Sequence, residues 1–150
     1  MRLAQPEDAP YISEITKTAF KEYCASAGLD SIAALSETVE DIVHDIETKN
    51  VYVAVINDRI VGCVRIELLA DGTAYLSRFA VRQDNQNTGI GKILMNVVDK
   101  NVRSKGVKCI KLHTASTVTG LIRFYYGRGF YISEVENSRG YPRATLIKEY

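Results

Sequence analysis

The stretch Phe79-Ala80-Val81-Arg82-Gln83-Asp84-Asn85-Gln86-Asn87-Thr88-Gly89-Ile90-Gly91-Lys92 passes from an apolar, strand-like segment through a polar loop into a glycine-spaced segment that opens a helix. Backbone N–H groups at a helix start have no intrahelical partner and carry partial positive charge. Glycines let an anion approach those groups closely, so the stretch reads as a phosphate or pyrophosphate site. Two other phosphate loops are excluded. The dinucleotide fingerprint needs a third glycine where Leu94 stands. The Walker A loop needs Ser or Thr after Gly91-Lys92, but Ile93 follows, and the earlier glycine is missing at the required spacing. Taken alone, Gly89-Ile90-Gly91 also fits a loop that simply needs glycines at a helix start.

Working outward, the flanking segments alternate between two periodicities. Residues 1–5 predict a short strand, and Asp8 with Pro10 predicts an N-cap and first turn. Ile12, Ile15, Ala19, Phe20 and Tyr23 recur at helical spacing over residues 9–25, and Val39, Ile42, Val43 and Ile46 mark a second helix over 37–48. Val51–Ile56, a turn at Asn57-Asp58-Arg59, and Ile60–Leu69 predict a hairpin; Asp71-Gly72 turns the chain into a further strand, Ala74–Val81. After the polar loop, Ile90, Ile93, Leu94, Val97, Val98 and Val102 form a helical stripe ended by Gly106. Val107–His113 predicts a strand, residues 119–127 a short helix, and Phe130–Ile132 and Ala144–Ile147 two last strands. The order β-α-α-β-β-β-α-β-α-β-β predicts one α+β domain, with a mixed sheet and helices on both faces.

The chain has 150 residues, 46% hydrophobic and 25% charged, with 19 basic and 18 acidic residues and a formal net charge of +1. That length supports a real core, and the charge balance argues against nucleic acid or an anionic membrane as partner. Glu37, Glu40, Asp41, Asp45 and Glu47 read as a solvated helix face. Cys24, Cys63 and Cys109 are too few and too widely spaced for a disulfide framework or a zinc site. Cys63 and Cys109 lie in apolar runs and are expected to be buried reduced thiols. His44 and His113 lack metal spacing, so no metal is expected. The N-terminus lacks the apolar core of a signal peptide, and no apolar run nears the ~20 residues of a membrane span. A cytoplasmic setting is expected.

Gln86-Asn87-Thr88-Gly89-Ile90-Gly91 matches Gln/Arg-x-x-Gly-x-Gly/Ala, and in this order of elements it resembles the acyl-CoA pyrophosphate loop of the GNAT superfamily of N-acetyltransferases. Phe124-Tyr125 followed by Gly129-Phe130, about 34 residues further on, resembles that family's Phe-Tyr-x-x-x-Gly-Phe signature. The resemblance extends over essentially the whole chain. It implies a mostly antiparallel sheet of six to seven strands flanked by about four helices. It also implies acetyl-CoA as co-substrate and transfer to an amine without a covalent acyl-enzyme. The pantetheine arm would meet the backbone of Phe79, Ala80 and Val81, and the pyrophosphate would meet Gln86, Asn87, Thr88, Gly89, Ile90, Gly91 and Lys92. The Val81 N–H would stabilise the oxyanion, and Tyr125 would protonate the leaving thiolate. Family members are often monomers or homodimers.

Three positions depart from the family pattern. An Asn that many relatives carry seven residues before the tyrosine is Val118 here, leaving Ser116 or Thr117 to supply that contact. A glutamate base that some relatives carry on the strand before the loop is Tyr75 here, which leaves Glu67 or a water chain as the base. His113 ends a strand near the expected cleft. Tyr23, Glu67 and Tyr141 are the expected acceptor contacts, together with the loop at residues 24–38 and the Glu136–Tyr141 loop. The acceptor itself stays open between a small-molecule amine and a peptide. The alternative is a non-catalytic acyl-CoA-binding module on the same fold.

Overall fold

The computed structural model describes residues 1–150. Seven strands form one sheet: β1 (Arg2–Leu3), β2 (Asn50–Ile56), β3 (Arg59–Leu68), β4 (Ala74–Val81), β5 (Cys109–Ala115), β6 (Tyr131–Glu136) and β7 (Arg143–Glu149). Their order across the sheet is β1-β2-β3-β4-β5-β7-β6, antiparallel except for the β4–β5 pair. Four α-helices accompany them: α1 (Ala9–Ala27), α2 (Val39–Thr48), α3 (Ile90–Ser104) and α4 (Thr119–Gly127). The architecture is the expected mixed, mostly antiparallel sheet with helices on both faces.

Local chemistry fixes the turns. The two-residue β2–β3 loop places Asn57 and Asp58 at φ 50° and 61°, the left-handed pair that a tight hairpin demands and that these residue types tolerate. Thr38 caps α2: its Oγ1 accepts the Asp41 N–H at 3.1 Å, and the Asp41 carboxylate accepts the Thr38 N–H at 2.9 Å. Asp8 does not cap α1 as expected. A 3-10 turn over Pro6–Asp8 starts the helical path earlier, so Asp8 is already helical. From there its carboxylate reaches back to accept the Gln5 N–H at 2.7 Å and both nitrogens of the Arg2 fork at 2.7 and 3.1 Å.

The sheet divides the core in two. Val64, Ile66, Ala74, Leu76, Ile110, Leu112 and Leu146 pack against Leu94, Met95, Val98 and Val102 of α3 and Tyr125 of α4. On the opposite face Val51, Val53, Cys63 and Ala80 pack against Ile12 and Ile15 of α1 and Ile42 of α2. Cys24 and Cys63 are buried, but Cys109, the first residue of β5, is only partly so.

The acidic residues around α2 are not all solvated. Arg65 is 1% exposed on the α2 face, and its guanidinium donates to Glu37 (2.6 and 2.7 Å) and to Asp45 (2.8 Å). A buried guanidinium demands such partners, and it pulls two carboxylates inward. This pins the segment before α2 to the sheet.

Two irregularities in β4 shape the centre of the molecule. The strand carries a bulge against β3, since Cys63 and Arg65 face Ala80 and Ser77, with Arg78 at φ 52° beside it. β4 also pairs with β5 only at Ala74–Ile110 and Tyr75–Lys111. Beyond Tyr75 the two strands lose their pairing, leaving backbone groups of β4 unclaimed on that side.

Candidate active site

A cleft of about 690 Å³ lies along the unpaired part of β4 and the start of α3. Phe79, Ala80, Val81, Gln86, Asn87, Gly89, Gly91 and Lys92 line it, with Val118, Leu121 and Phe124 on the α4 side and Phe20 and Tyr23 from α1. No protein group accepts the backbone N–H of Asn87, Thr88, Gly89, Ile90, Gly91 or Lys92; the first helical bond is donated by Ile93, to the Gly89 carbonyl at 3.1 Å. Asn87 and Gly89 take positive φ (62° and 90°), which curls this run of donors around the helix start. Unpaired amides at a helix N-terminus form the donor set that a pyrophosphate requires. Gly91 serves packing: a Cβ there would stand 3.2 Å from Phe79 Cζ and 3.4 Å from Phe124 Cζ. Those two rings stack at 5.3 Å and wall the cleft.

Val81 has its backbone turned the same way. The Arg82 N–H bonds the Val61 carbonyl at 2.8 Å, so the adjacent Gly62–Val81 pair is the non-hydrogen-bonded one. The N–H and C=O of Val81 therefore point away from β3, into the gap beside β5. The Gln86 Nε2 donates to that carbonyl at 3.4 Å, and the Val81 N–H is left free.

A second, smaller cavity of about 200 Å³ adjoins the first and is lined by residues of both β4 and β5. Phe20, Tyr23, Phe79 and Leu121 border both cavities, so the two meet there. The small cavity is made of side chains from many segments. Ile32, Ala33 and Ala34 come from the loop after α1; Tyr75, Ser77 and Arg78 from β4; His113 and Thr114 from β5; Tyr125 from α4; and Arg139, Tyr141 and Arg143 from the β6–β7 region. Tyr75 Oη and His113 Nδ1 share a hydrogen bond at 2.7 Å. Burial, then the nearby positive charge of Arg143 and Arg139, holds the His113 pKa below its ordinary value. Burial likewise raises that of Tyr75. Tyr125 is 5% exposed, set among Phe79, Phe124 and Phe130, and desolvation pushes its hydroxyl well above the ordinary phenol value. The Tyr23 hydroxyl accepts the Ala115 N–H at 2.7 Å, tying α1 to the end of β5.

The expected site residues thus fall into three groups. Phe79, Ala80, Val81, Gln86, Asn87, Gly89, Gly91 and Lys92 come together on the large cleft, and Tyr23, Tyr125 and Tyr141 on the small cavity. Thr88 and Ile90 line neither: the Thr88 hydroxyl turns to the Asn85 carbonyl, and the Ile90 side chain is buried beneath α3. Ser116 spends its N–H on the Pro142 carbonyl, and Glu67 is exposed on β3; neither lines a cavity. Sequence reading did not find Arg78, Arg143 or the Tyr75–His113 pair, and reached Arg139 only as part of the Glu136–Tyr141 loop. The alternation along β4 and β5 could have placed Tyr75 and His113 on one face, since the parallel register sets Tyr75 opposite Lys111.

No helix is long and apolar enough to cross a membrane. No curated protein matches the sequence. The fold is similar to that of the PaiA N-acetyltransferase of Thermoplasma acidophilum, solved with coenzyme A, at 22% identity over 99% of this chain and 97% of that one, with a TM-score of 0.82. It is also similar to the ribosomal-protein-alanine N-acetyltransferase of Brucella melitensis, at 17% identity over 99% and 98% with a TM-score of 0.79. A GNAT family acetyltransferase of Elizabethkingia anophelis with acetyl-CoA bound resembles 75% of this chain over 84% of its own, at 23% identity and a TM-score of 0.66. The sequence model of the acetyltransferase (GNAT) family matches residues 13–130, and with the fold and cleft described above this chain belongs to that family of acyltransferases.

Proposed function

We propose that the protein moves an acetyl group from acetyl-CoA to a primary amine of a small molecule or peptide, by direct attack within a ternary complex. The observation that carries this reading is the meeting of two unlike cavities beside Phe79, Tyr23 and Leu121, one edged by free amides and the other by polar side chains. The coenzyme A of the Thermoplasma structure and the acetyl-CoA of the Elizabethkingia structure support the choice of co-substrate.

Bound acetyl-CoA supplies the thioester whose carbonyl the amine attacks. The unpaired amides from Asn87 to Lys92 hold the pyrophosphate charge at the α3 N-terminus. The Val81 N–H, aimed into the gap between β4 and β5, is the donor for the developing oxyanion. Holding both reactants at the junction lowers the entropic part of the barrier. An aliphatic ammonium titrates near ~10, so the acceptor must lose a proton. The neutral fraction of the amine attacks, and His113, neutral in the neutral pH range and bonded to Tyr75, takes up the proton that the nitrogen sheds once the C–N bond forms and its acidity rises. The buried Tyr125 hydroxyl stays protonated and donates a hydrogen bond to the departing sulfur. Full proton transfer from so weak an acid to a thiolate whose conjugate acid lies near ~8.5 is uphill. Tyr125 therefore stabilises the charge, and the proton arrives from solvent.

Thiol release from acetyl-CoA, followed across a panel of amines, tests the reading. Acceptor-dependent release is expected. Tight acetyl-CoA binding with no release for any amine would leave a non-catalytic acyl-CoA-binding module, and absence of binding would remove the reading altogether.

A further inference from the structure

We infer that the amine acetylated by this site carries an anionic group, a carboxylate or a phosphate, which the arginines of the small cavity hold. The inference rests on the transferase reading above and narrows its substrate class.

Arg78, Arg139 and Arg143 line the small cavity, and no Asp or Glu lines it. Two of these cations have no counter-charge, since no carboxylate lies within ion-pairing distance of Arg139 or Arg143. Arg78 is little better served. Its nearest carboxylate, Glu37, lies 3.5 Å from Nε, and that buried Nε makes no hydrogen bond. Glu37 is already gripped through both oxygens by Arg65, which Asp45 shares. Glu136 stands opposite Arg143 in the β6–β7 ladder but does not border the cavity. The field inside is therefore positive, and the lowered His113 value agrees with it, since Arg143 and Arg139 contribute after burial. Thr114 also borders the cavity, and its Oγ1 is buried without a partner.

Guanidinium forks match the planar oxygens of carboxylates and the oxygens of phosphates. The same charges repel a polycation, and like-charge contacts of this kind set specificity as firmly as attractive ones. The cavity, at about 200 Å³, lies below the ~300–1,000 Å³ of drug-sized sites. A compact anionic amine fits this space: an amino acid, the end of a short peptide, or a phosphorylated amino sugar.

Matched acceptors decide the matter. Thiol release from acetyl-CoA is measured for an amino acid against its amide, for glucosamine 6-phosphate against glucosamine, and for spermidine. We expect at least tenfold higher kcat/KM for an anionic member of one pair, which also tells carboxylate from phosphate, and little turnover of spermidine. Arg139→Gln, on an exposed loop, should cut that discrimination ratio at least fivefold; Arg143→Gln should cut it further, with Arg143→Lys partly restoring it. Preference for neutral amines or spermidine, or ratios unmoved in both Gln variants, overturns the inference and leaves the transferase standing. Calorimetry of the same compounds on the protein with coenzyme A covers the converse case. Binding of an anionic amine without thiol release keeps the assignment and removes the transferase, while neither binding nor release of any anionic amine overturns the assignment.

Discussion

The two cavities that meet beside Phe79 are built of different material. The large cleft offers main chain: the amides from Asn87 to Lys92, the outward-turned Val81 N–H, and glycines at positions 89 and 91. The small cavity offers side chains from at least five separated segments, rich in Arg and Tyr. A main-chain site tolerates side-chain change as long as backbone shape persists; a side-chain site changes its ligand with each substitution. The first arrangement suits a constant co-substrate and the second a particular acceptor.

The largest expected break in this comparison is Arg65→Ala. It takes from Glu37 and Asp45 their buried partner, leaving them only the longer contacts to Arg78 and Lys49, and loosens the segment that walls the small cavity. Stability should fall by about 3–5 kcal/mol, read from denaturant midpoints, while coenzyme A affinity of the folded protein changes under about threefold because none of Arg65, Glu37 and Asp45 lines the cleft. A loss below about 1 kcal/mol would mean that the ion cluster does not hold that wall. Tyr125→Phe comes next. Removing one donor to the departing sulfur should lower kcat roughly 100-fold with acetyl-CoA affinity nearly constant; equal kcat would remove Tyr125 from the chemistry. Gly89→Val tests the main-chain side. At φ 90° a β-branched residue strains the loop by about 1–3 kcal/mol, and the weakening should be read in coenzyme A affinity, with acceptor preference unchanged.

The smallest effect concerns His113. Its native pKa lies below the unfolded value of ~6.5, so the unfolded chain binds more protons in the window beneath that value. Stability is full above the window and declines as pH falls through it. The decline should shrink in His113→Asn, measured by thermal melts between about pH 7 and 5, which run from just above the unfolded value of ~6.5 down into the window beneath it.

The contrast in material also explains what the sequence made legible. The large cleft is local in the chain: strand end, loop and helix start follow one another, so periodicity and two glycines mark it. The turn at Asn57-Asp58, the helix at 119–127 and the succession of elements along the chain follow for the same reason. Asp8 misled because a 3-10 turn over Pro6–Asp8 moved the helix start forward. Glu37 and Asp45 misled because an acidic helix face says nothing of a buried arginine twenty or more residues away. Arg139, Arg143 and His113 converge only through the β5–β7–β6 ladder, and no short-range pattern encodes that convergence.

The bulge beside Arg78 reaches further than its own geometry. Before it, even-numbered residues of β4, Ala74 and Leu76, pack toward α3 and α4; after it, the odd-numbered Phe79 and Val81 do, while Ala80 joins the α1 side. One inserted residue thus resets the phase of the strand's alternation halfway along. In an unbroken strand Phe79 would fall on the other face, away from Phe124, and the aromatic stack that walls the large cleft would have no second ring. The junction of the two cavities is in this sense an error of counting kept in the chain: a single extra residue, spent in mid-strand, that swings the ring bordering both of them onto the face of the cleft.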